Sequence, residues 1–140
     1  EKAKSLMKMT SLIEDSIKVQ DKEKMAALIV ANYYEVIKEL STAILLMDGY
    51  KTLSHKDLID YLNKYKELSQ FELTLLDDLR VLRNRITYDG FFIDPPYLER
   101  NEINFKKIIL TLKDILNKEL DIGAKQESKK ELKEVKNDKE

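Results

Sequence analysis

Apolar residues recur at intervals of three and four along most of this chain. The stretch 72–90 shows the pattern clearly, because at 100° per residue Leu75, Leu79, Leu82 and Ile86 fall within one narrow stripe. This spacing is the period of an amphipathic α-helix, and no segment convincingly favours a β-strand. The sequence therefore predicts an all-α bundle of about five helices.

The helices are expected between residues that cap or end them. Asp21 can cap the second helix, Ser54 and Ser69 begin patterns that resemble capping boxes, and Gly90 can end the fourth. A proline pair then excludes helix until the last one begins. The predicted spans are 4–20, 22–48, 54–68, 69–90 and a last helix that starts between 96 and 102 and ends at Gly123.

Length and composition indicate one compact unit. A chain of 140 residues can build one hydrophobic core, so we expect residues 1–123 to form a single helical domain. Residues 124–140 are polar and alternate in charge, which predicts a tail that is either disordered or a solvated helix. The second helix is apolar over more than one stripe, so it belongs either at the centre of the bundle or at a subunit interface.

The charged residues, cysteine content and apolar runs exclude several classes of protein. The formal net charge is −1, so any contact with a nucleic acid must be local. The absence of cysteine excludes disulfides and thiol chemistry, and His55, as the single histidine, offers no cluster for a metal. The longest apolar run is too short to cross a bilayer. We therefore expect a cytoplasmic protein without a membrane span, metal or cofactor.

Three of the four arginines, Arg80, Arg83 and Arg85, lie within six residues of the fourth predicted helix, whereas lysine is preferred elsewhere. Arginine offers a planar fork of donors that can bind a phosphate or a carboxylate at two points. This arrangement favours a site for an anionic ligand on the helix. The alternative is that the arginines form structural ion pairs with Asp77, Asp78 and acids on neighbouring helices.

Two stretches of the chain resemble the HEPN family. The first is Tyr33-Tyr34-Glu35-Val36-Ile37-Lys38-Glu39-Leu40, continuing through Ala43, Leu45, Gly49 and Ser54-His55 to Leu58; the second is Leu79-Arg80, Arg83-Asn84-Arg85 and Tyr88-Asp89. The resemblance covers roughly residues 25–120. It implies an antiparallel helical bundle that forms a homodimer through the helix of the second stretch.

The resemblance also implies partners and site residues. A dimeric HEPN module would bind RNA or a nucleotide through the arginine-rich helix, with Arg80, Arg83, Asn84, Arg85 and Tyr88 as the binding residues. The usual partner of such a module is a minimal nucleotidyltransferase, as in toxin–antitoxin pairs. The chain would be the toxin-like member of such a pair.

The sequence departs from the pattern of active HEPN ribonucleases, which carry an arginine, four to six intervening residues and a histidine, and cleave RNA without a metal. Here Arg83-Asn84 matches the start of the motif, but Tyr88 stands five residues after Arg83 and no histidine follows. The chain thus looks like an archaeal-like branch that lacks this histidine. Tyrosine, with a pKa of about 10, is a poorer general base at neutral pH.

Three functions therefore stay open. The first is RNA or nucleotide binding by a dimer. The second is a metal-independent endoribonuclease, for which Arg83, Asn84 and Tyr88 are the catalytic candidates. The third is an inert structural or protein-interaction module.

Overall fold

The computed structural model describes residues 1–51 and 54–138, with side chains described up to residue 133. Five α-helices and one short 3₁₀ segment follow one another in it: α1 Lys2–Lys18, α2 Ala26–Met47, α3 His55–Tyr61, the 3₁₀ turn Leu62–Lys64, α4 Gln70–Asp89 and α5 Pro95–Asp138. No strand occurs in these ranges, and the predicted all-α helical bundle is confirmed. Among the described helices, none is both long and apolar enough to span a membrane.

The helix α2 occupies the centre of the bundle. It packs against α1 and α5, and also against α3 and α4. Six of its side chains have no exposed surface at all: Ile29, Val30, Val36, Leu40, Ala43 and Ile44. Together with the buried Tyr34 and Leu45, these residues span more than half of the circumference of the helix, so other helices of the same chain already cover the extra apolar stripe. Of the two interpretations offered by the sequence, the structure shows the bundle centre.

Side chains and glycine set the two ends of α4. The hydroxyl of Ser69 accepts a hydrogen bond from the backbone N–H of Glu72 at 3.1 Å, and the Glu72 carboxylate accepts one from the backbone N–H of Ser69 at 3.0 Å. This is the complete capping box that the sequence predicts. Gly90 ends the helix with a left-handed φ of 64°, a conformation that glycine adopts without steric cost.

Two predicted helix boundaries are wrong. The second helix begins at Ala26 and not at Lys22, because Asp21 caps a separate turn by accepting hydrogen bonds from the backbone N–H groups of Glu23 and Lys24. The third helix ends at Tyr61 and not near residue 68. After the 3₁₀ turn the chain leaves helical geometry at Tyr65, whose φ and ψ are −92° and 115°.

The last helix differs from the prediction at both ends: α5 begins at Pro95, so the proline pair lies in its first turn, and it continues past Gly123 to Asp138. Gly123 does not have a positive φ, and a Cβ atom placed there would lie 3.6 Å from the end of the Met47 side chain. A glycine inside a helix costs only about 1 kcal/mol relative to alanine, so it weakens the helix without ending it. From residue 124 to residue 133 the side chains are exposed, and this part of α5 is a solvated helix.

We predict that truncating a buried isoleucine of α5 destabilises the protein, whereas truncating an exposed isoleucine of the same helix does not. Ile108 is fully buried, whereas Ile103 is 66% exposed on the same helix. Ile108→Ala should lower the free energy of unfolding by about 2–5 kcal/mol, and Ile103→Ala should change it by less than about 0.5 kcal/mol. Urea unfolding followed by circular dichroism measures both. Equal losses at the two positions would contradict the packing described here.

Candidate functional site

Tyr34, in the middle of α2, is the contact point between α3 and the arginine-bearing helix α4. Its buried ring lies 5.9 Å from the ring of His55, centroid to centroid, at an interplanar angle of 49°. The guanidinium carbon of Arg83 lies 5.9 Å from the centroid of the same ring, within the range of a cation–π contact. With Lys38, one turn further along α2, and Arg80, one turn before Arg83, these residues are called here the Tyr34 cluster.

Two of the three cations in this cluster are held by acids. The ammonium of Lys38 lies 2.7 Å from Glu35 Oε1 and 3.4 Å from Glu39 Oε1, and all three side chains are at least two-thirds buried. Arg80 donates through Nε to Asp77 Oδ1 at 3.1 Å. The predicted structural pairing of the arginines with Asp77 therefore applies to Arg80.

Arg83 differs from the other two cations. Within residues 1–51 and 54–133 Arg83 forms no ion pair, and its only cation–π contact is with the ring of Tyr34. Its side chain is partly exposed. The guanidinium donors of Arg83 are thus available to an anionic ligand that approaches from the solvent.

The hydroxyl of Tyr34 stays protonated over the physiological range of pH. Burial raises the pKa of Tyr34 to about 12, although the nearby charges of Arg83 and Arg80 act in the opposite direction. A protonated phenol can donate a hydrogen bond but does not act as a base at neutral pH. Tyr34 therefore contributes to the cluster through the contacts of its ring with His55 and Arg83.

His55 adds a group of different chemistry. Burial lowers the pKa of His55, and the positive charges of Lys38 and Arg83 lower it further, against an opposing effect of Glu35. Its imidazole is therefore neutral at pH 7 and carries one nitrogen that can accept a proton. The sequence places His55 in the first turn of the third helix, and the structure confirms this, but the spacing gives no sign that the residue lies close to Arg83.

The five residues predicted to bind RNA or a nucleotide are divided between two sides of α4. Arg80 and Arg83 lie at Tyr34, and Asn84, half-buried, is about 40° from Arg80 around the helix. Arg85 and Tyr88 are rotated by about 200° and 140° from Arg83. Within one chain these two residues therefore lie on the other side of the helix.

The contacts of Arg85 and Tyr88 agree with that placement. The guanidinium carbon of Arg85 lies 4.1 Å from the ring centroid of Phe91, beyond the end of α4. Tyr88 is 75% exposed. Neither residue contacts the Tyr34 cluster, so Tyr88 does not occupy the place beside Arg83 that a histidine would need for acid–base chemistry.

A second group of titratable side chains joins the end of α2 to α3 and α5. Asp48 accepts hydrogen bonds from the hydroxyls of Tyr61 and Tyr65 and from the ammonium of Lys64, the last at 2.8 Å. Burial acts to raise the pKa of Asp48, but these three donors outweigh it and lower the pKa. The hydroxyl of Tyr65 also lies 2.7 Å from Glu119 Oε1.

The proton count explains the different behaviour of the two acids. The single hydroxyl proton of Tyr65 can be donated either to Asp48 or to Glu119, but not to both at once. Burial raises the pKa of Glu119, and the negative charge of Asp48 raises it further, against a lowering by the Tyr65 hydroxyl. Glu119 is therefore the acid that takes up a proton first. All of these groups bond to one another, so we interpret them as a structural junction.

No set of three or more acidic or histidine side chains that could hold a metal ion occurs in the part of the chain that the structure describes. No protein-family model matches the chain, and a comparison with curated proteins finds no match. The resemblance to the HEPN family stays a prediction.

We predict that the titration of His55 reports the charges of the Tyr34 cluster. As the only histidine, it gives one Cε1–H resonance in an NMR titration. Its pKa should lie below the ordinary value of about 6.5, and Arg83→Gln or Lys38→Gln should each raise it. Arg85→Gln removes the same charge from the other side of α4 and should leave it unchanged.

The sign of the shift also sets a dependence of stability on pH. The pKa of His55 is lower in the folded protein than in the unfolded chain, so protonation of His55 opposes folding. The stability that the neutral imidazole contributes is fully present above the pKa of the unfolded chain. This stability is lost as the pH falls through the pKa of the folded protein. A parent pKa at or above 6.5, or an equal response to Arg85→Gln, would contradict the arrangement.

Proposed function

We propose that this chain is a helical module that binds RNA or a nucleotide phosphate at the Tyr34 cluster. The observation that carries the proposal is the state of Arg83, a partly exposed guanidinium that lies over a buried ring and pairs with no described acid. Arginine in this state can donate two parallel hydrogen bonds to phosphate oxygens.

The neighbours of Arg83 suit the same ligand. Arg80 adds positive charge near Tyr34 and His55, Lys38 adds it near His55, and Asn84 can supply an amide donor beside Arg80. Their acidic partners, Asp77 and Glu35, neutralise much of that charge, which fits a chain with a formal net charge of −1. Binding would therefore be local and sensitive to salt.

Homodimer formation is the second part of the proposal. The exposed side of α4 carries three large apolar residues, with Phe71 63%, Val81 46% and Tyr88 75% exposed. Thr74, Asp78 and Arg85 lie in the same row, so the row follows the alternating three- and four-residue spacing of a helix–helix seam. This set of residues is called here the α4 stripe.

The α4 stripe is self-complementary. If two copies pack antiparallel about a twofold axis near Val81, Asp78 of each copy meets Arg85 of the other, and the apolar side chains are covered. The resemblance to the HEPN family favours the same helix for the dimer contact. Arg85 and Tyr88, predicted from the sequence as ligand-binding residues, then contribute mainly to the dimer.

The protein partner proposed for this module rests on the resemblance to the HEPN family alone. HEPN modules of this kind accompany a minimal nucleotidyltransferase, so we propose the chain as the toxin-like partner in a toxin–antitoxin pair in the cytoplasm. The proposal of phosphate binding at Arg83 does not depend on this partner.

One observation favours an endoribonuclease as the second candidate function. The group beside Arg83 that could accept a proton from a ribose 2′-hydroxyl is His55, because its depressed pKa keeps the imidazole neutral. Arg83 would stabilise the charge that develops on the phosphate. Tyr88, exposed on the other side of the helix, has no such support. The third candidate, an inert module, draws support from the ion pair between Arg80 and Asp77.

We predict that Arg83→Gln weakens the binding of a fluorescein-labelled decauridylate by about tenfold or more, measured by fluorescence anisotropy at low salt. The reason is the loss of charge-assisted hydrogen bonds, each worth about 1.5–3 kcal/mol. The slope of log K against log salt should also fall by about 0.7. Arg100→Gln removes the same charge from α5 and is the matched control.

Two results would overturn the binding proposal. One is equal affinity of the parent and Arg83→Gln proteins for the labelled RNA. The other is a loss of thermal stability in Arg83→Gln while the parent binds neither RNA nor a competing mononucleotide, which would favour the inert module. Gel analysis of the same samples tests cleavage: activity that survives Tyr88→Phe but not His55→Gln would assign an endoribonuclease centred on His55.

We predict that Val81→Asp converts a dimer into a monomer in sedimentation equilibrium. The parent should sediment at twice the chain mass of 16.4 kDa, and the variant near 16.4 kDa, because a buried carboxylate opposite its own copy is strongly unfavourable. Ile103→Asp, at an exposed position on α5, should leave the dimer intact. A monomeric parent at high concentration would exclude the α4 stripe as a dimer contact.

A further inference from the structure

A cavity of about 430 Å³ lies between α1, α2 and α5, separate from the Tyr34 cluster. Its walls are apolar and come from Ile17, Ile109 and Leu110, and Tyr33 lines it from α2. The volume is within the range of sites that hold small organic molecules. Nothing in the proposed phosphate site makes use of this cavity.

The two acids that line the cavity are already neutralised by the chain. Glu102 accepts hydrogen bonds from the Lys22 ammonium at 2.7 Å and from the Tyr33 hydroxyl at 2.8 Å, and its side chain is only 13% exposed. Burial acts to raise the pKa of Glu102, but these bonds outweigh it and lower the pKa. A cationic ligand would have to displace Lys22 to reach this carboxylate.

Glu14 is neutralised in a similar way. The ammonium of Lys113 lies 2.7 Å from Glu14 Oε1, although the geometry is poor for a hydrogen bond. The pair is an ion pair by distance, and it balances the charge of the second acid.

Two lysines that line the cavity can bind an anionic group, because no buried acid neutralises them. Lys18 lies 3.6 Å from Asp15, but the two side chains are 76% and 72% exposed, so solvent screens the pair strongly. Lys106 forms no ion pair with any acid in residues 1–51 and 54–133. The cavity thus combines apolar walls, neutralised acids and an excess of positive charge at its opening.

We infer that this cavity binds an amphipathic organic anion. Its hydrocarbon or aromatic body packs between Ile17, Ile109 and Leu110, and its carboxylate, sulfonate or phosphate head meets Lys106 and Lys18 at the opening. The two acids that line the cavity do not repel the head, because Lys22 and Lys113 neutralise Glu102 and Glu14. The inference does not depend on the binding of RNA at Arg83.

Decanoate is the probe that tests the inference, at concentrations below those at which it forms micelles. Titration of the full chain, followed by ¹³C-methyl NMR, should give saturable shifts that are largest for Ile17 and Ile109. Decyltrimethylammonium has a chain of the same length and the opposite charge, and it should bind more weakly. Adding decanoate should not change the affinity for decauridylate.

Two neighbouring lysines test whether the anionic head group contacts Lys106. Lys106→Gln should weaken decanoate binding by about 3- to 10-fold, as expected for the loss of about one exposed charge contact. Lys107→Gln removes the same charge from the next position, which does not line the cavity, and should have no effect. Both lysines are exposed, so folding is preserved.

Three results would overturn the inference. The first is an absence of saturable shifts with decanoate. The second is shifts that are spread over exposed apolar residues of α1, such as Met9 and Leu12, and not centred on the cavity. The third is equal binding of the anionic and cationic probes, or an equal effect of Lys106→Gln and Lys107→Gln.

Discussion

The structure depends on the burial of α2. Twelve of the 22 residues of this helix are buried, with α1 and α5 packed against it and α3 and α4 also in contact with it. A polar group on such a helix costs free energy unless it finds a partner inside the protein. The hydroxyl of Ser41, for example, is buried and donates to the backbone carbonyl of Ile37 at 2.7 Å.

The same requirement shapes the surroundings of the Tyr34 cluster and of the cavity. Tyr33 and Tyr34 are consecutive, so their side chains leave the helix in directions about 100° apart. Tyr33 packs its ring on Phe105 and donates to Glu102, which fixes the acid that lines the cavity. Tyr34 packs against His55 and Arg83, which brings α3 and α4 together. The packing of these two tyrosines thus determines the positions of two separate groups of charged side chains.

The junction at Asp48 links the ends of the helices by a third set of polar contacts. Tyr65 can reach both Asp48 and Glu119 because the chain leaves helical geometry at that residue. Its contacts join the end of α2 to α5, so the orientation of α5 beyond Leu116 rests on hydrogen bonds as well as on apolar packing.

Much of the fold follows from local signals in the sequence. The helical period, the capping box at Ser69 and Glu72, and the left-handed glycine at Gly90 each depend on residues within one or two turns, so they can be read without knowledge of the partners. The start of the second helix was also decided locally, by the turn at Asp21, whereas two other boundaries that failed lie at contacts with distant residues. Gly123 stays helical against Met47, and Tyr65 is extended where it meets two acids.

The same division applies to the candidate site. The arginine cluster on α4 is visible in the sequence, and helix geometry alone separates Arg83 from Tyr88. The ion pair between Arg80 and Asp77 joins residues three apart on α4, and the sequence already suggests it. Only the tertiary structure decided that Arg83 lies over Tyr34, and that His55, 28 positions before Arg83, shares that ring. Such contacts depend on how helices distant in sequence pack, whereas helix formation depends on neighbours along the chain.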